Sequence, residues 1–119
     1  MKDLAYFSAK KAQSKNDSFR KSRDFIHKLE HIDQMWEHLN HKNGNILAVK
    51  NLRGKHKEEF NYSQLNKKIT KASKGFFNLG LRRGEVVALI SENSPRWLIV
   101  DQAIMRIGAT DAVRGCNSP

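Results

Sequence analysis

The sequence is short of the residues that usually announce chemistry. There is one cysteine, Cys116, in 119 residues, which excludes an intrachain disulfide and makes a reducing setting the default. Its place in the last residues of the sequence argues against a packed nucleophile. No apolar run approaches the ~18 residues a membrane-spanning helix needs, and the opening stretch MKDLAYFSAKKAQSKNDSF lacks the continuous apolar core of a secretion signal. The expectation is a cytoplasmic protein without a transmembrane segment, a peripheral membrane contact being left open. Acidic residues are scarce as well. Twelve Asp and Glu stand against 22 Lys and Arg, for a formal charge of +10. Such a balance attracts polyanions such as RNA, acidic carrier proteins or anionic lipid heads, although solvated helix faces are the better account of it.

Motifs for phosphate, metal and nucleophilic chemistry are missing or incomplete. Gly75, Gly80 and Gly84 fit neither G-x-G-x-x-G nor the P-loop pattern, because Leu81 and Arg82 follow Gly80 where Lys and Ser/Thr are required. No G-x-S-x-G elbow is present. HKLEH, His27 to His31, matches the H-x-x-E-H of inverted zinc peptidases, with Glu30 as the base. A catalytic zinc also needs a third ligand and a sheltered cleft, so these histidines, with His38 and His41, read better as solvated helix residues. Phe7, Phe19, Phe25 and Phe60 lie near basic residues, but no RNP motif or zinc-finger spacing accompanies them, so no specific nucleic acid partner is expected.

What the sequence does hold is a succession of α/β signals, without internal repeats or low-complexity tracts. Residues 1–24 read as a basic, mobile arm and residues 25–119 as one domain. Phe25, Ile26, Leu29, Ile32, Met35, Trp36 and Leu39 recur at helical spacing, an alternative boundary putting the helix start near Asp33. Gly44 suits a left-handed helix stop. NILAVKN at 45–51 and FNY at 60–62 read as a hairpin with a long tip. Ser63 can cap a second helix whose apolar stripe is Leu65, Ile69, Ala72 and Phe76, with Lys67, Lys68, Lys71 and Lys74 off the stripe and Gly80 as its stop.

EVVALI at 85–90 is apolar without alternation, the mark of a parallel strand covered on both faces. Asn93 or Ser94 can cap the next helix, and Pro95 suits its first turn. Trp97, Leu98, Asp101, Ile104, Met105 and Gly108 follow at helical spacing, and ATDAV opens a further strand. Burying the side chains of Val86 to Ile90 is worth about 1.5–3 kcal/mol each, a sum that rivals the ~5–15 kcal/mol net stability of a whole domain. Such a strand needs neighbours on both edges and a layer on each face. The sequence offers three or four strands and about three helices, which predicts a sheet with an unpaired outer edge.

FNYSQLNKKITKASKGFFNLGLRRGEVVALISENSPRWLIVDQAIMRIGATDAVRG resembles the N-terminal part of adenylate-forming (AMP-dependent synthetase/ligase) enzymes. Its nearest likeness is to long-chain acyl-CoA synthetases and to acyl–acyl-carrier-protein synthetases of cyanobacterial and chloroplast type. The pattern is an aromatic–x–Tyr strand (Phe60, Tyr62), a Leu-bearing helix (Leu65), LGLRRGEVVAL at 79–89 and the turn N-x-P-x-W (Asn93, Pro95, Trp97). It extends over roughly residues 32–118. The resemblance implies an incomplete N-terminal portion of the family's large domain: helices, a short β-hairpin, then a βαβ unit.

For the complete enzyme the resemblance implies attack of a fatty carboxylate on ATP with magnesium, then transfer of the acyl group to the thiol of coenzyme A or of an acyl carrier protein. The family does this with a Ser/Thr/Gly-rich loop ending in Pro-Lys-Gly, acidic residues on the ribose and a lysine on a small C-terminal domain. None of these motifs occurs in the sequence. No catalytic, cofactor-binding or metal-binding residue is therefore assigned, and the chain is expected to be an N-terminal fragment, inactive alone. The alternative reading is a small basic binding module for RNA, an acidic carrier protein or a membrane surface.

Overall fold

The computed structural model describes residues 24–52 and 57–115. The basic arm expected at 1–24 lies, Asp24 apart, outside the described residues. The chain divides between His31 and Ile32. Before the division, residues 24–26 make a single helical turn, extended by bonds from Lys28 N to Phe25 O (2.9 Å) and Leu29 N to Ile26 O (3.3 Å). After it come helix α1 (Gln34–Asn43), strands β1 (Leu47–Lys50) and β2 (Glu59–Asn61), helix α2 (Tyr62–Asn78), strand β3 (Val86–Ile90), helix α3 (Pro95–Ile107) and strand β4 (Thr110–Arg114).

The helix expected from Phe25 to Leu39 is not continuous. It starts at Gln34 with Asp33 at its N-cap, the alternative boundary, and Ile26 and Ile32 stay exposed. Exposed Ile26 and Ile32 bring a helix there little of the packing from which short helices draw most of their stability. Gly44, expected left-handed, keeps φ at −50°. Its use lies in close approach: a Cβ there would sit 2.7 Å from Asn40 O and 3.6 Å from Ser63 Cβ.

β1 and β2 pair antiparallel with a bulge between Leu47 and Val49. The bulge lets the consecutive residues Ala48 and Val49 both pack on the core, while Lys50 and Glu59, opposite one another, form an ion pair at 2.9 Å. The second helix begins two residues earlier than a Ser63 cap would set it, with Asn61 as its N-cap. Asn61 Oδ1 accepts from Gln64 N at 2.8 Å and Gln64 Oε1 accepts from Asn61 N at 3.0 Å, a reciprocal capping box. Tyr62 N and Ser63 N donate to Ile46 O and Gly44 O, so the first amides of α2 are satisfied by the link that leads into β1. At the other end Gly80, with φ +106°, donates to Phe77 O and Leu81 N donates to Phe76 O, the paired bonds of a Schellman stop.

Trp36, Leu65, Ile69 and Ile99 form the buried centre, with Met35, Leu39, Val49, Phe60 and Leu98 around it. Arg96 at the start of α3 holds Glu58, next to the hairpin, at 2.7 Å. Ser94 Oγ caps α3 through Trp97 N at 3.1 Å, and Pro95 takes the first helical position. Gly108 ends the helix at φ +82°. Its carbonyl accepts from Gly84 N, and Thr110 N donates to Glu85 O, so the turns on either side of the βαβ unit are tied together.

β3 and β4 run parallel in register, Val86 opposite Thr110 and Ile90 opposite Arg114, as a two-stranded sheet. Both outer edges are without a strand partner among the described residues. Val87 and Leu89 are half-buried, whereas Val86 and Ile90 are 68% and 66% exposed. The strand expected to be covered on both faces has one face open, because no layer of the described residues lies against it.

Candidate functional site

The histidines come first, since they carried the only metal pattern. His27 and His31 are exposed and precede α1 rather than sharing one of its faces. Among the described residues no three His, Cys, Asp or Glu are placed to hold an ion together. His41 lines a shallow polar cavity of about 460 Å³ with Asn40, Asn43, Gly44 and Ser63, a set without a metal's ligands. The turn after β3, where an open α/β sheet would take a ligand, is closed by the Ser94 cap and by Pro95, which is buried.

An open groove of about 610 Å³ is lined by Lys74, Arg82, Arg83 and Arg106 with Phe77 and Ile107. Two of its four cations are already committed. Arg82 lies 4.1 Å over the Phe77 ring and donates through Nη1 to Phe77 O (2.7 Å) and Leu81 O (3.1 Å), reinforcing the end of α2. Arg106 donates to Thr70 Oγ1 and to Asn66 Oδ1, and stands 3.8 Å from Asp33 Oδ2, which pins α3 to α2 and to the start of α1. Lys74 and Arg83 have no ion-pair partner among the described residues. They leave the groove attractive to anions without fixing a geometry for one.

The polar group that sequence reasoning missed is internal. Trp36 Nε1 donates to Gln102 Oε1 at 2.6 Å, and Gln102 Nε2 donates to Asp101 Oδ2 at 2.7 Å. Asp111 of β4 lies near the Asp101 carboxyl. Asp101 and Gln102 are both buried, at 8% and 7% exposure. Burial, then the nearby Asp111 carboxyl, push the Asp101 carboxyl above its usual 3.8, with the Gln102 bond opposing the rise. The signal was present in the sequence: Asp101 falls in the row with Leu98 and Met105, a polar position on an otherwise apolar face. Its partners could not be read there, since Trp36 is 66 residues from Gln102.

None of these arrangements is a catalytic constellation. No reaction step is assigned to them. No helix among them is long and apolar enough to cross a membrane.

The chain is 34% identical over 87 residues to a probable acyl-activating enzyme 16, chloroplastic, of Arabidopsis thaliana. It is 33% identical over 87 residues to the long-chain-fatty-acid–acyl-carrier-protein ligase AEE15, chloroplastic, of the same plant. Each match takes in 73% of this chain but 12% of the relative, so the chain spans about an eighth of the length of these proteins. A crotonobetaine/carnitine–CoA ligase of Salmonella arizonae is 30% identical over 82 residues, 67% of this chain and 16% of that enzyme. Among solved structures, the N-terminal subdomain of Klebsiella oxytoca NpsA in complex with anthranilyl-AMSN superposes with a TM-score of 0.69 at 24% identity, covering 77% of this chain and 23% of that one. The N-terminal domain of FACL13 from Mycobacterium tuberculosis gives 0.68 at 18% identity, covering 76% and 22%. These likenesses establish the fold, an α/β portion of the N-terminal part of adenylate-forming enzymes. The family model for AMP-binding enzymes matches residues 36–116, well over half of the chain, from the core tryptophan through the last strand, and the chain therefore belongs to the AMP-binding enzyme family.

Proposed function

We propose that the chain is the N-terminal packing unit of a fatty acid activating ligase. That ligase joins a long-chain fatty acid to AMP and then passes the acyl group to the thiol of coenzyme A or an acyl carrier protein. The observation that carries the reading is the match of residues 36–116 to the AMP-binding family, together with relatives whose names include a long-chain-fatty-acid–acyl-carrier-protein ligase. The carnitine–CoA ligase relatives mark the competing substrate class, a short polar carboxylate.

Within such an enzyme the chain's contribution is structural. Its closed core presents β3 and β4 to further strands and a further layer, which cover the face of Val86 and Ile90. The Trp97 indole fits the same picture. Its Nε1 is buried with no hydrogen-bond partner among the described residues, and a buried donor normally has one. ATP, magnesium and the acyl acceptor would be held by residues outside this unit, and the unit alone performs no adenylation.

The test is ATP–pyrophosphate exchange. The purified chain gives none, and exchange above background overturns the reading. The coding DNA past Pro119 is expected to read, in one frame, into a Ser/Thr/Gly-rich loop ending in Pro-Lys-Gly. The protein so encoded exchanges pyrophosphate with palmitate-length acids. Exchange with carnitine-like acids alone assigns it to the competing substrate class.

A further inference from the structure

From Phe60 to Gly84 the chain carries Lys67, Lys68, Lys71, Lys74, Arg82 and Arg83 and no acidic residue. The structure segregates that charge. Leu65, Ile69 and Ala72 turn to the core side of α2. Lys67, Lys71 and Lys74, at spacings of four and three, run as an exposed stripe along its opposite side. The stripe leads to the turn after α2, where Arg82 and Arg83 are exposed. Lys74, Arg82 and Arg83 line the open groove of about 610 Å³ together with Arg106, and no acidic side chain among the described residues lines it. The acid next in sequence, Glu85, is engaged by the turn itself, its Oε2 accepting from Arg82 N at 2.7 Å.

Apolar surface stands on the same short segment. Leu79, the C-cap residue of α2, is 84% exposed, and Phe77 is 51% exposed. The helix stop does not call for a leucine there, since it is made by the backbone amides of Gly80 and Leu81. Scattered exposed apolar side chains need no explanation, but these two sit between Lys74 and Arg82 in the chain. Lys74 and Arg83 take part in none of the ion pairs of the described residues. Arg83 is placed by its stem, which runs close to Gly108, where a Cβ would lie 3.0 Å from Arg83 Cγ.

We propose that residues 74–83, the end of α2 and the turn after it, dock on an anionic lipid surface. Lys74 and Arg83 meet the headgroups, the Phe77–Arg82 pair lies at headgroup depth, and Leu79 enters the acyl boundary. A nucleic acid would use the cations and leave Leu79 idle, and the Phe77 ring on which a base could stack has the Arg82 guanidinium over it at 4.1 Å. An acidic protein would bring anchors that need well-packed pockets, whereas this groove is open. A bilayer interface asks for unpaired cations at its surface and a protruding apolar side chain beyond them. Such binding is independent of any adenylation chemistry.

The experiment sediments the 119-residue chain with vesicles of phosphatidylcholine and with vesicles of phosphatidylcholine mixed with phosphatidylglycerol. The chain is expected to bind the mixed vesicles alone, and less as salt rises. Lys74→Glu with Arg83→Glu should lower the partition at least about tenfold. Lys42→Glu with Lys57→Glu, on α1 and beside the hairpin, changes the net charge equally and should lower it less than about threefold. Equal losses from the two pairs reduce the binding to net charge and overturn the proposal.

Leu79→Trp reads the depth of the contact. The side chain at 79 is exposed and the backbone there is right-handed, with φ at −73°, so the exchange leaves the fold intact. On mixed vesicles its fluorescence should shift to the blue and be quenched by acyl-brominated lipid beyond the quenching of the wild-type chain, which keeps Trp36 and Trp97. A vesicle-bound Leu79→Trp without that added quenching overturns the proposal. Polyuridylate serves as competitor and should release the chain only weakly. Tighter binding to polyuridylate than to the vesicles, lost in the Lys74→Glu, Arg83→Glu variant, makes the surface a nucleic-acid site and overturns the proposal as well.

Discussion

The core beneath α1, α2 and α3 and the sheet of β3 and β4 are made from equally apolar sequence, yet one is closed and the other is half open. Leu65 and Ile69 are sealed by residues within about thirty positions in the chain: Trp36 and Leu39 on α1, Val49 and Phe60 on the hairpin. Val86 and Ile90 have nothing comparable among the described residues. The difference lies in where the partners are, and local pattern cannot express that. A helix stripe states its own need and is answered by the nearest amphipathic neighbour. A strand buried on two faces needs a second layer and two neighbouring strands, and the solved structures that share this fold are several times longer than the matched portion.

The largest effect should separate the two regions outright. Ile69→Ala removes a side chain of zero exposure and leaves a cavity that α1 and α2 cannot collapse into. It is expected to cost about 2–5 kcal/mol, which for a domain of this size is most of its stability. Ile90→Ala, made from the same residue type, should cost less than about 0.5 kcal/mol. Urea unfolding of the two variants side by side measures both. Equal losses would mean that the open face is covered in solution.

Two glycines make the next comparison. Gly108 sits at φ +82°, and a Cβ there would lie 3.0 Å from Arg83 Cγ. Gly108→Ala is expected to destabilise by about 1–2 kcal/mol, with the side chain of Arg83 forced to move. Gly75 lies inside α2 with nothing within 4 Å of its missing Cβ, so Gly75→Ala should stabilise by about 1 kcal/mol. The pair is read as Tm shifts of opposite sign.

Much of this frame was legible in the sequence, for a local reason in each case. Gly80 and Gly108 stop helices because each takes the left-handed conformation at a C-terminus. Ser94 and Pro95 start one because the orphan amides there need an acceptor and the proline has no amide to orphan. The order hairpin, helix, strand, helix, strand followed from these stops and from the change of apolar period between them. What was not legible depended on contacts made across the chain. Helical spacing from Phe25 to Ile32 looked as good as that from Met35 to Leu39, but it is Met35, Trp36 and Leu39 that belong to the core of Leu65 and Ile69, while Ile26 and Ile32 are exposed. Ser63 was a reasonable cap until the Asn61–Gln64 reciprocity is seen, and that is itself a local signal, N-x-x-Q, that went unused. The polar row through Trp36, Gln102, Asp101 and Asp111 was invisible because its members lie on three elements and a lone Asp on an apolar face names no partner. The candidate site was least legible of all: the residues that match the family are those that build the scaffold.

The capping box offers a sharper probe of how tightly the closed region is held. Asn61→Ala removes the acceptor for Gln64 N and frees the Gln64 side chain, at an expected cost of about 1 kcal/mol. Asn61→Asp should hold that stability, since an aspartate at the same position accepts the same bond and its charge suits a helix N-terminus. Because this cap sits at the junction of β2 and α2, its loss should fray the hairpin along with the helix. Amide hydrogen exchange would then accelerate at Leu47 and Asn61 together, while the amides of β3 and β4 keep their rates.

The smallest expected change is the one that defines the open face. Val86→Thr and Ile90→Thr together keep β-branched residues at both positions, so the strand's backbone preference is kept. On a face already exposed to water they should move the stability of the chain by less than about 0.5 kcal/mol. Their effect should fall instead on association. An apolar face bordered by unpaired strand edges invites a second copy to pair there, so sedimentation velocity of the wild-type chain should show concentration-dependent dimers or larger species that the double variant lacks. A destabilisation of the size expected for Ile69→Ala, with no change in association, would place those two side chains in a packed environment and remove the contrast between the two regions.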